Sequence, residues 1–395
     1  MRPQKSRPAL LPAVDDLVAL ARPEEPMLCL RPEVLADTAR AFRRAFPGET
    51  LYAVKCNPDA AVLRALWEGG IRHFDCASIG EVRQVRGLFP TAEIHFMHPI
   101  KARSAIREAY AEHGVRDFVL DSAEEFAKIL AETGNAADLG IFVRLGLPKG
   151  SARYDLSGKF GAAPEDAAAL LAAARPHAVR LGLSFHVGSQ CMEPESYTRA
   201  LVAAGAVVRA AGVAVEIVDV GGGFPVAYPD LAPPALSAFM AAIARGYAQA
   251  GLPAGTRLWA EPGRALVAGG ASLVVQVQAR RGDALFINDG IYGTLSDAGV
   301  PGFHFPVRPL RTSAAPLTDY SFFGPTCDSA DAMRGPFPLP ADMAEGDWIE
   351  IGQLGAYGAC LGSGFNGFAG PRIEAVRDRP LLETPGLTTR RIRAA

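Results

Sequence analysis

Eight short apolar segments recur along the first two-thirds of the chain, and nearly every one ends in a polar residue or glycine. They occupy residues 51–55, 73–78, 93–99, 117–121, 140–146, 180–189, 215–223 and 257–264. Amphipathic stretches such as 60–68, 104–113 and 124–133 lie between them. Strand and helix in alternation imply parallel strands, because each helix carries the chain back to start the next strand beside the last. Eight such units in roughly 240 residues match the size of a (β/α)8 barrel. An open doubly wound sheet is the competing arrangement. A barrel gathers its strand ends at one mouth, where barrel active sites are built. Here those ends carry Lys55, Asp75, Ser78, His98, Asp121, Arg144, His186, Ser189, three successive glycines, Glu261 and Arg264.

After residue 267 the rhythm stops. Residues 271–279, 284–288, 307–310, 320–324 and 347–351 read as strands, with Pro and Gly frequent between 300 and 347. This predicts a barrel domain over 27–267 and a mostly β domain formed by 268–395 together with 1–26. A chain of 395 residues is long enough for both. With 49% apolar and 21% charged residues it belongs to the soluble globular class. A net charge of −2 gives no basic excess for nucleic acid or an anionic membrane. The six cysteines are scattered without a CxxC pair, which argues against a zinc site or a disulfide framework and fits free thiols in a reducing cytoplasm. No metal-ligand spacing stands out. Arg2, Lys5 and Arg7 precede a short apolar run, but Pro12, Asp15 and Asp16 interrupt it too soon for a signal peptide. No run approaches the ~20 apolar residues of a membrane span.

Five motifs carry chemistry. In Tyr52-Ala53-Val54-Lys55-Cys56-Asn57-Pro58, a lysine stands where a strand gives way to a turn; a neutral amine there can condense with an aldehyde. Asp219-Val220-Gly221-Gly222-Gly223-Phe224-Pro225 runs a strand into glycines that let backbone N–H groups approach an anion. It is neither a P-loop nor GxGxxG. Glu261-Pro262-Gly263-Arg264 sets a carboxylate that could hold a ring nitrogen protonated beside a guanidinium suited to phosphate. His186-Val187-Gly188-Ser189 offers a ring to stack and a hydroxyl to donate. Gly324-Pro325-Thr326-Cys327-Asp328-Ser329 sets a thiol beside a carboxylate. Taken singly, each has a plain structural explanation: a solvated lysine, a tight turn, a local ion pair, a hydrogen-bonded histidine, a buried cysteine.

Taken in order, AVKCNP, FDCAS, HPIK, VLDS, HVGSQ, DVGGGFP, EPGR, NDGIYG, GPTCDS and GAYG resemble the fold-type III pyridoxal phosphate decarboxylases of basic amino acids, over about residues 27 to 370. The likeness is to the ornithine/lysine branch. It implies an alanine racemase-like fold: a TIM-like (β/α)8 barrel plus a mostly β C-terminal domain. It implies pyridoxal 5'-phosphate as cofactor, with Lys55 bonding its aldehyde, Glu261 pairing with the ring nitrogen and His186 stacking on the ring. Ser189, Gly222, Gly223, Arg264 and Tyr357 would hold the phosphate, while Asp75, Glu81 and Arg144 would tune the surroundings. It further implies a homodimer with shared sites, in which Cys327 protonates the product carbon and Asp328 binds the distal amine. Tyr292, Asp297 and Phe365 complete the substrate-binding set. The activity implied is decarboxylation of ornithine or lysine to a diamine for polyamine synthesis.

The chain departs from that pattern at one place. Ornithine decarboxylases carry a second distal acid about nine residues past the tyrosine of NDGxYG; the matching position here is Pro301, with Asp297 nearer. Lysine, 2,4-diaminobutyrate, diaminopimelate or a carboxynorspermidine-type substrate stay open beside ornithine, as do a racemase on the same scaffold and a non-catalytic antizyme-inhibitor-like binding protein.

Overall fold

A computed structural model of the chain describes residues 11–148, 150, 152–154, 158–299 and 301–387. Arg2, Lys5 and Arg7 of the sequence argument lie outside the described residues. The chain forms two compact units, a barrel unit of residues 36–227 and 232–266 and a sheet unit made of the segments up to 35, 228–231 and from 267 on.

The first strand, β1 (Met27–Leu30), belongs to the sheet unit. Ten strands follow: β2 (Glu49–Ala53), β3 (His73–Cys76), β4 (Glu93–Phe96), β5 (Asp117–Leu120), β6 (Gly140–Arg144), β7 (Ala152–Tyr154), β8 (Arg180–Ser184), β9 (Ser189–Cys191), β10 (Ile217–Asp219) and β11 (Arg257–Ala260). Strands β7 and β9 pair with each other, and the other eight close into a parallel barrel in chain order. All eight apolar segments thus supply a barrel strand, and closure rules out the open doubly wound sheet.

Three of the helices start on a side-chain cap that the sequence provides. Asp59, Ser78 and Ser122 each accept a backbone N–H of the first turn, at 2.8, 3.2 and 3.2 Å, opening Ala60–Glu68, Ile79–Leu88 and Ala123–Glu132. Leu51, Met97, Val119, Phe142, Ile217 and Trp259 fill the barrel interior. Phe142 and Trp259 stack with centroids 5.0 Å apart. Gly182 makes room for them, since a Cβ there would lie 2.4 Å from the Phe142 ring.

Toward the strands' starting ends, the interior is polar. His73 Nδ1 lies 3.0 Å from His95 Nε2, and His95 Nδ1 lies 2.7 Å from Asp117 Oδ2, which also accepts Arg180 at 3.1 Å. The chain of bonds joins all four side chains through Asp117 Oδ2, while Asp117 Oδ1 has no hydrogen-bond donor among the described residues.

In the sheet unit, β12 (Ala271–Arg281), β13 (Ala284–Ile287), β14 (Val307–Pro309), β15 (Leu317–Phe323), β16 (Ala332–Pro340) and β17 (Trp348–Ile351) run in the order β14-β17-β12-β13-β15-β16. From sequence, the barrel domain starts at residue 27. In the structure β1 pairs instead with β12 and with β18 (Arg372–Ala375). Its four residues are all buried, and Met27 and Cys29 pack with Val14, Val18, Val274 and Val376. The sequence pattern also passes over β16. That strand carries Pro336, Pro338 and Pro340, and it lies at the end of the strand order, where missing N–H donors cost no ladder bond on the outer side. A buried ionic cluster pins the sheet: Arg31 donates to Glu350 at 2.9 Å and Ser272 at 2.8 Å, and Arg308 reaches Glu350 at 2.7 Å. Among the described residues no helix is long and apolar enough to cross a membrane.

The histidine chain generates a pH prediction. Burial, then the neighbouring His95, pushes the His73 pKa down to about 4. The unfolded chain takes up that proton near pH 6.5 and the folded one does not, so stability falls as pH drops from about 6.5 toward 4. Denaturant melts at pH 7 and 5 should show a loss of roughly 1–3 kcal/mol, consistent with a shift of this size. The loss should be smaller in His73→Gln; an equal loss in both proteins would discount the histidine.

Candidate active site

Strand geometry decides which side chains meet at the barrel mouth. Side chains alternate along a strand, so residues two apart share a face. Phe142, Ile217 and Trp259 point into the interior. Two residues on, Arg144, Asp219 and Glu261 therefore face the mouth. Arg144, Ser184 and Asp219 stand side by side in register. Asp75 is in register with Ala53, two residues past interior Leu51. Lys55 follows on the single 3-10 turn Val54–Cys56, and its Nζ lies 2.8 Å from Asp75 Oδ2.

The triple-glycine turn ties three strand ends together. Gly221 and Gly223 adopt φ of +67° and +99°, a region that disfavours any side chain. A Cβ at Gly221 would lie 2.2 Å from Phe185 O, at Gly222 2.6 Å from Glu261 O, and at Gly223 2.3 Å from Gly188 O. Gly221 O accepts the Glu261 N–H at 2.9 Å, and Gly222 O accepts the Tyr197 hydroxyl at 2.9 Å. Among the described residues no group accepts the N–H of Gly222 or Gly223. The EPGR turn is seated in the same way. A Cβ at Gly263 would meet Cys56 Cβ at 2.9 Å, and Pro262 O accepts the Ala53 N–H at 3.3 Å. Arg264 is buried and opens the short helix Arg264–Val267.

The charges are shaped by burial. His186 Nδ1 accepts the Gly188 N–H at 2.9 Å, which leaves the ring proton of the neutral form on Nε2. Burial, with the positive charges of Arg144 and Lys55, holds its pKa well below the usual value, so the ring is neutral. Glu261 is pushed well up by burial and by Asp219 and Asp75, and Asp219 is raised to about 6, chiefly by burial. Glu81 serves the start of Ile79–Leu88: its Oε2 accepts the Ala77 N–H at 2.6 Å, and burial raises its pKa. Ser189 begins β9.

The remaining predicted residues belong to the sheet unit. Cys327 is exposed, and its N–H donates to Asn366 Oδ1 at 3.0 Å. Asp328 accepts the Ala330 N–H at 2.9 Å and the Tyr292 hydroxyl, which together hold its pKa low. The Tyr292 and Phe365 rings are tilted 42° to each other with centroids 5.0 Å apart, and both line one cleft. Asp297 is buried on the turn Ser296–Ala298 and does not line that cleft. Tyr357 is half-buried with φ +51°. Sequence reasoning missed Asp331, which accepts Ile291 N, Thr326 N and Thr326 Oγ1 at 2.9, 3.1 and 2.7 Å and so shapes the cysteine loop. It also assigned nothing to Ser184 or Asp219. The period-two rule applied past Ile217 would have found the latter.

The chain that gathers a strand-end lysine, a carboxylate and a triple-glycine turn at one barrel mouth also matches two family models. Residues 33–268 match the one for the pyridoxal-dependent decarboxylase, pyridoxal binding domain, and residues 268–355 match the one for its C-terminal sheet domain. The chain belongs to the pyridoxal-dependent decarboxylases. The decarboxylase is 32% identical to the ornithine decarboxylase of Panagrellus redivivus, over 91% of this chain and 87% of that protein. It is 31% identical to the lysine/ornithine decarboxylase of Vibrio vulnificus, solved with putrescine, at TM-score 0.80 over 92% and 97% of the two chains. The arginine decarboxylase of Paramecium bursaria Chlorella virus, bound to agmatine, aligns at TM-score 0.82 and 27% identity over 92% and 98%.

The mouth suits the cofactor of this family. Asp75 Oδ1, Ser184 Oγ, Asp219 Oδ2 and Glu261 Oε1 are buried without a hydrogen-bond partner among the described residues. Such orphan atoms are costly unless a ligand meets them. The glycine cradle offers N–H donors for a phosphate, Glu261 an acid for a ring nitrogen, and Lys55 an amine for an aldehyde.

Gly222→Ala forces a methyl group against Glu261 O and His186. Overpacking of about 1–3 kcal/mol predicts a 10- to 100-fold weaker affinity for pyridoxal 5'-phosphate by absorbance titration. Gly87→Ala, on an open helix face with nothing within 4 Å, should leave that affinity unchanged; equal effects of the two would remove the cradle from the site.

Proposed function

We propose that this decarboxylase acts on a basic L-amino acid of the ornithine or lysine type, releasing carbon dioxide and a diamine such as polyamine synthesis uses. The observation that carries the reading is Asp328. It is a carboxylate held ionised by Tyr292 and the Ala330 N–H, one residue from the exposed thiol of Cys327. An anion so placed suits the distal ammonium of a diamino acid. The substrates named for the relatives, ornithine and lysine, support the same class.

Lys55 would hold the cofactor's aldehyde carbon until the substrate amine takes its place. Glu261 would keep the ring nitrogen protonated, and the neutral His186 ring would lie on the ring face without adding charge. The N–H groups of Gly222 and Gly223, the Ser189 hydroxyl, Arg264 and Tyr357 would hold the phosphate. Asp75, paired with Lys55, and Arg144 would set the charge of the mouth. When bound, the cofactor supplies an electron sink for the pair left behind as the Cα–carboxylate bond breaks. Cys327 would then deliver its thiol proton to that carbon, and Asp328 with Tyr292 and Phe365 would seat the distal end. Asp297 is buried and Pro301 carries no charge, so Asp328 is the acid we assign to the distal ammonium.

We further propose a homodimer in which the barrel mouth of one protomer works with the partner subunit's Cys327 and the partner subunit's Asp328. The exposure of Cys327, Leu361, Phe365 and Phe368 on the sheet unit supports a covered surface there. Six free thiols support a reducing, cytoplasmic setting.

Steady-state rates on ornithine, lysine, 2,4-diaminobutyrate and diaminopimelate should favour ornithine or lysine by at least about tenfold, the loss expected when a shorter chain or an added carboxylate keeps the distal ammonium from Asp328. Asp328→Asn should act mainly through KM. Flat rates across the panel would end the basic-amino-acid reading. Mixing Lys55→Ala with Cys327→Ala subunits should restore about a quarter of wild-type sites, because half the dimers are mixed and each carries one intact site. No recovery despite subunit exchange would refute shared sites.

A further inference from the structure

We propose that Asp219 is a positioning residue for Glu261: its carboxyl group, anchored on the Gly221 N–H, shares one proton with Glu261 and so fixes the acid that faces the cofactor's ring nitrogen. This rests on the reading of Glu261 given above and extends it to a residue with no role so far.

The two acids bracket a single residue. Asp219 Oδ1 accepts the Gly221 N–H at 2.8 Å, and the Glu261 N–H donates to Gly221 O at 2.9 Å. Asp219 is in register with Trp259, two residues before Glu261, so both carboxyl groups face the mouth from neighbouring strands. Asp219 is fully buried and Glu261 is 4% exposed. Asp219 Oδ2 and Glu261 Oε1 each lack a hydrogen-bond donor among the described residues. Two adjacent carboxylates without donors cannot both stay ionised in such a place. A single proton between them gives each orphan oxygen a partner. That proton, held between the two carboxyl groups, ties the Glu261 side chain to Asp219 and fixes its orientation.

The other charged or titratable groups facing this pair are Asp75 on β3, Lys55 after β2, Arg144 on β6 and His186 after β8. Lys55 and Arg144 favour ionisation and Asp75 opposes it, while the neutral His186 adds no charge. The upward pKa shifts of both acids agree with one retained proton.

Two measurements on the apoprotein and its cofactor complex decide the matter. Asp219→Asn keeps an acceptor for Gly221 and an N–H donor for Glu261 but cannot carry the acid proton. An infrared difference spectrum of wild type minus Asp219→Asn, recorded on apoprotein at pH 7, should contain a protonated-carboxyl band. Its absence overturns the shared proton. By titration with pyridoxal 5'-phosphate, Asp219→Ala should bind at least about tenfold more weakly, the loss of one hydrogen bond to a charged group. Asp219→Asn should stay within about threefold of wild type, since the donor is retained. Wild-type affinity in Asp219→Ala, with its circular dichroism intact, overturns the positioning role. Should Asp219→Ala not fold, the infrared arm still decides. Glu261→Ala separates the two readings: unchanged affinity there sinks the reading of Glu261 and this proposal with it. Weakened affinity there beside a normal Asp219→Ala sinks this proposal alone.

Discussion

The barrel mouth depends on one close backbone approach, at Gly221, Gly222 and Gly223. Three carbonyls, of Phe185, Gly188 and Glu261, lie within 2.6 Å of where their Cβ atoms would be. No side chain fits such a gap, so the ends of β8, β10 and β11 can close together only around glycine. That closure sets the Glu261 backbone on Gly221 and leaves the N–H groups of Gly222 and Gly223 without an acceptor among the described residues. Position, donor supply and steric room therefore come from the same three residues.

Burial then turns position into chemistry. Asp75, Asp219 and Glu261 crowd three acids into the mouth, and Lys55 and Arg144 provide the countercharge. A neutral histidine ring and a raised glutamic acid follow from low solvent access, without any unusual residue type. The same physics operates at the strands' starting ends, where His73, His95, Asp117 and Arg180 form a bonded chain that leaves Asp117 Oδ1 without a donor among the described residues. A single orphaned oxygen does not mark a site; four of them, on Asp75, Ser184, Asp219 and Glu261, gathered beside a glycine cradle and a lysine do.

The sheet unit works by another principle. Asp331 and Asp289 spend their carboxylates on loop N–H groups, and Gly290 and Gly324 give Asp331 its room. The loop they hold presents Cys327 and Asp328 at the surface. Arg31 and Glu350, both 1% exposed, pin the strands beneath.

Much of this was legible in the linear chain. The alternation of apolar and amphipathic segments determined eight parallel strands, because period and segment length are local properties. The polar strand ends determined which chemistry could gather, and the ordered motifs determined the family and its cofactor. What the chain could not disclose depended on partners distant in sequence. Strand β1 reads as apolar wherever it goes, and pairing with β12 and β18 decided that it joins the sheet. Glu81 looks like any acid in a motif, and the Ala77 N–H drew it to a helix start. Asp219 stood in a quoted motif without a role until register with Trp259 set it beside Glu261. Asp297 seemed a substitute for a missing acid, and packing buried it. Sequence determined the elements and their chemistry by short-range pattern; tertiary structure decided which oxygens would be left without a partner, since that depends on the surroundings of each atom.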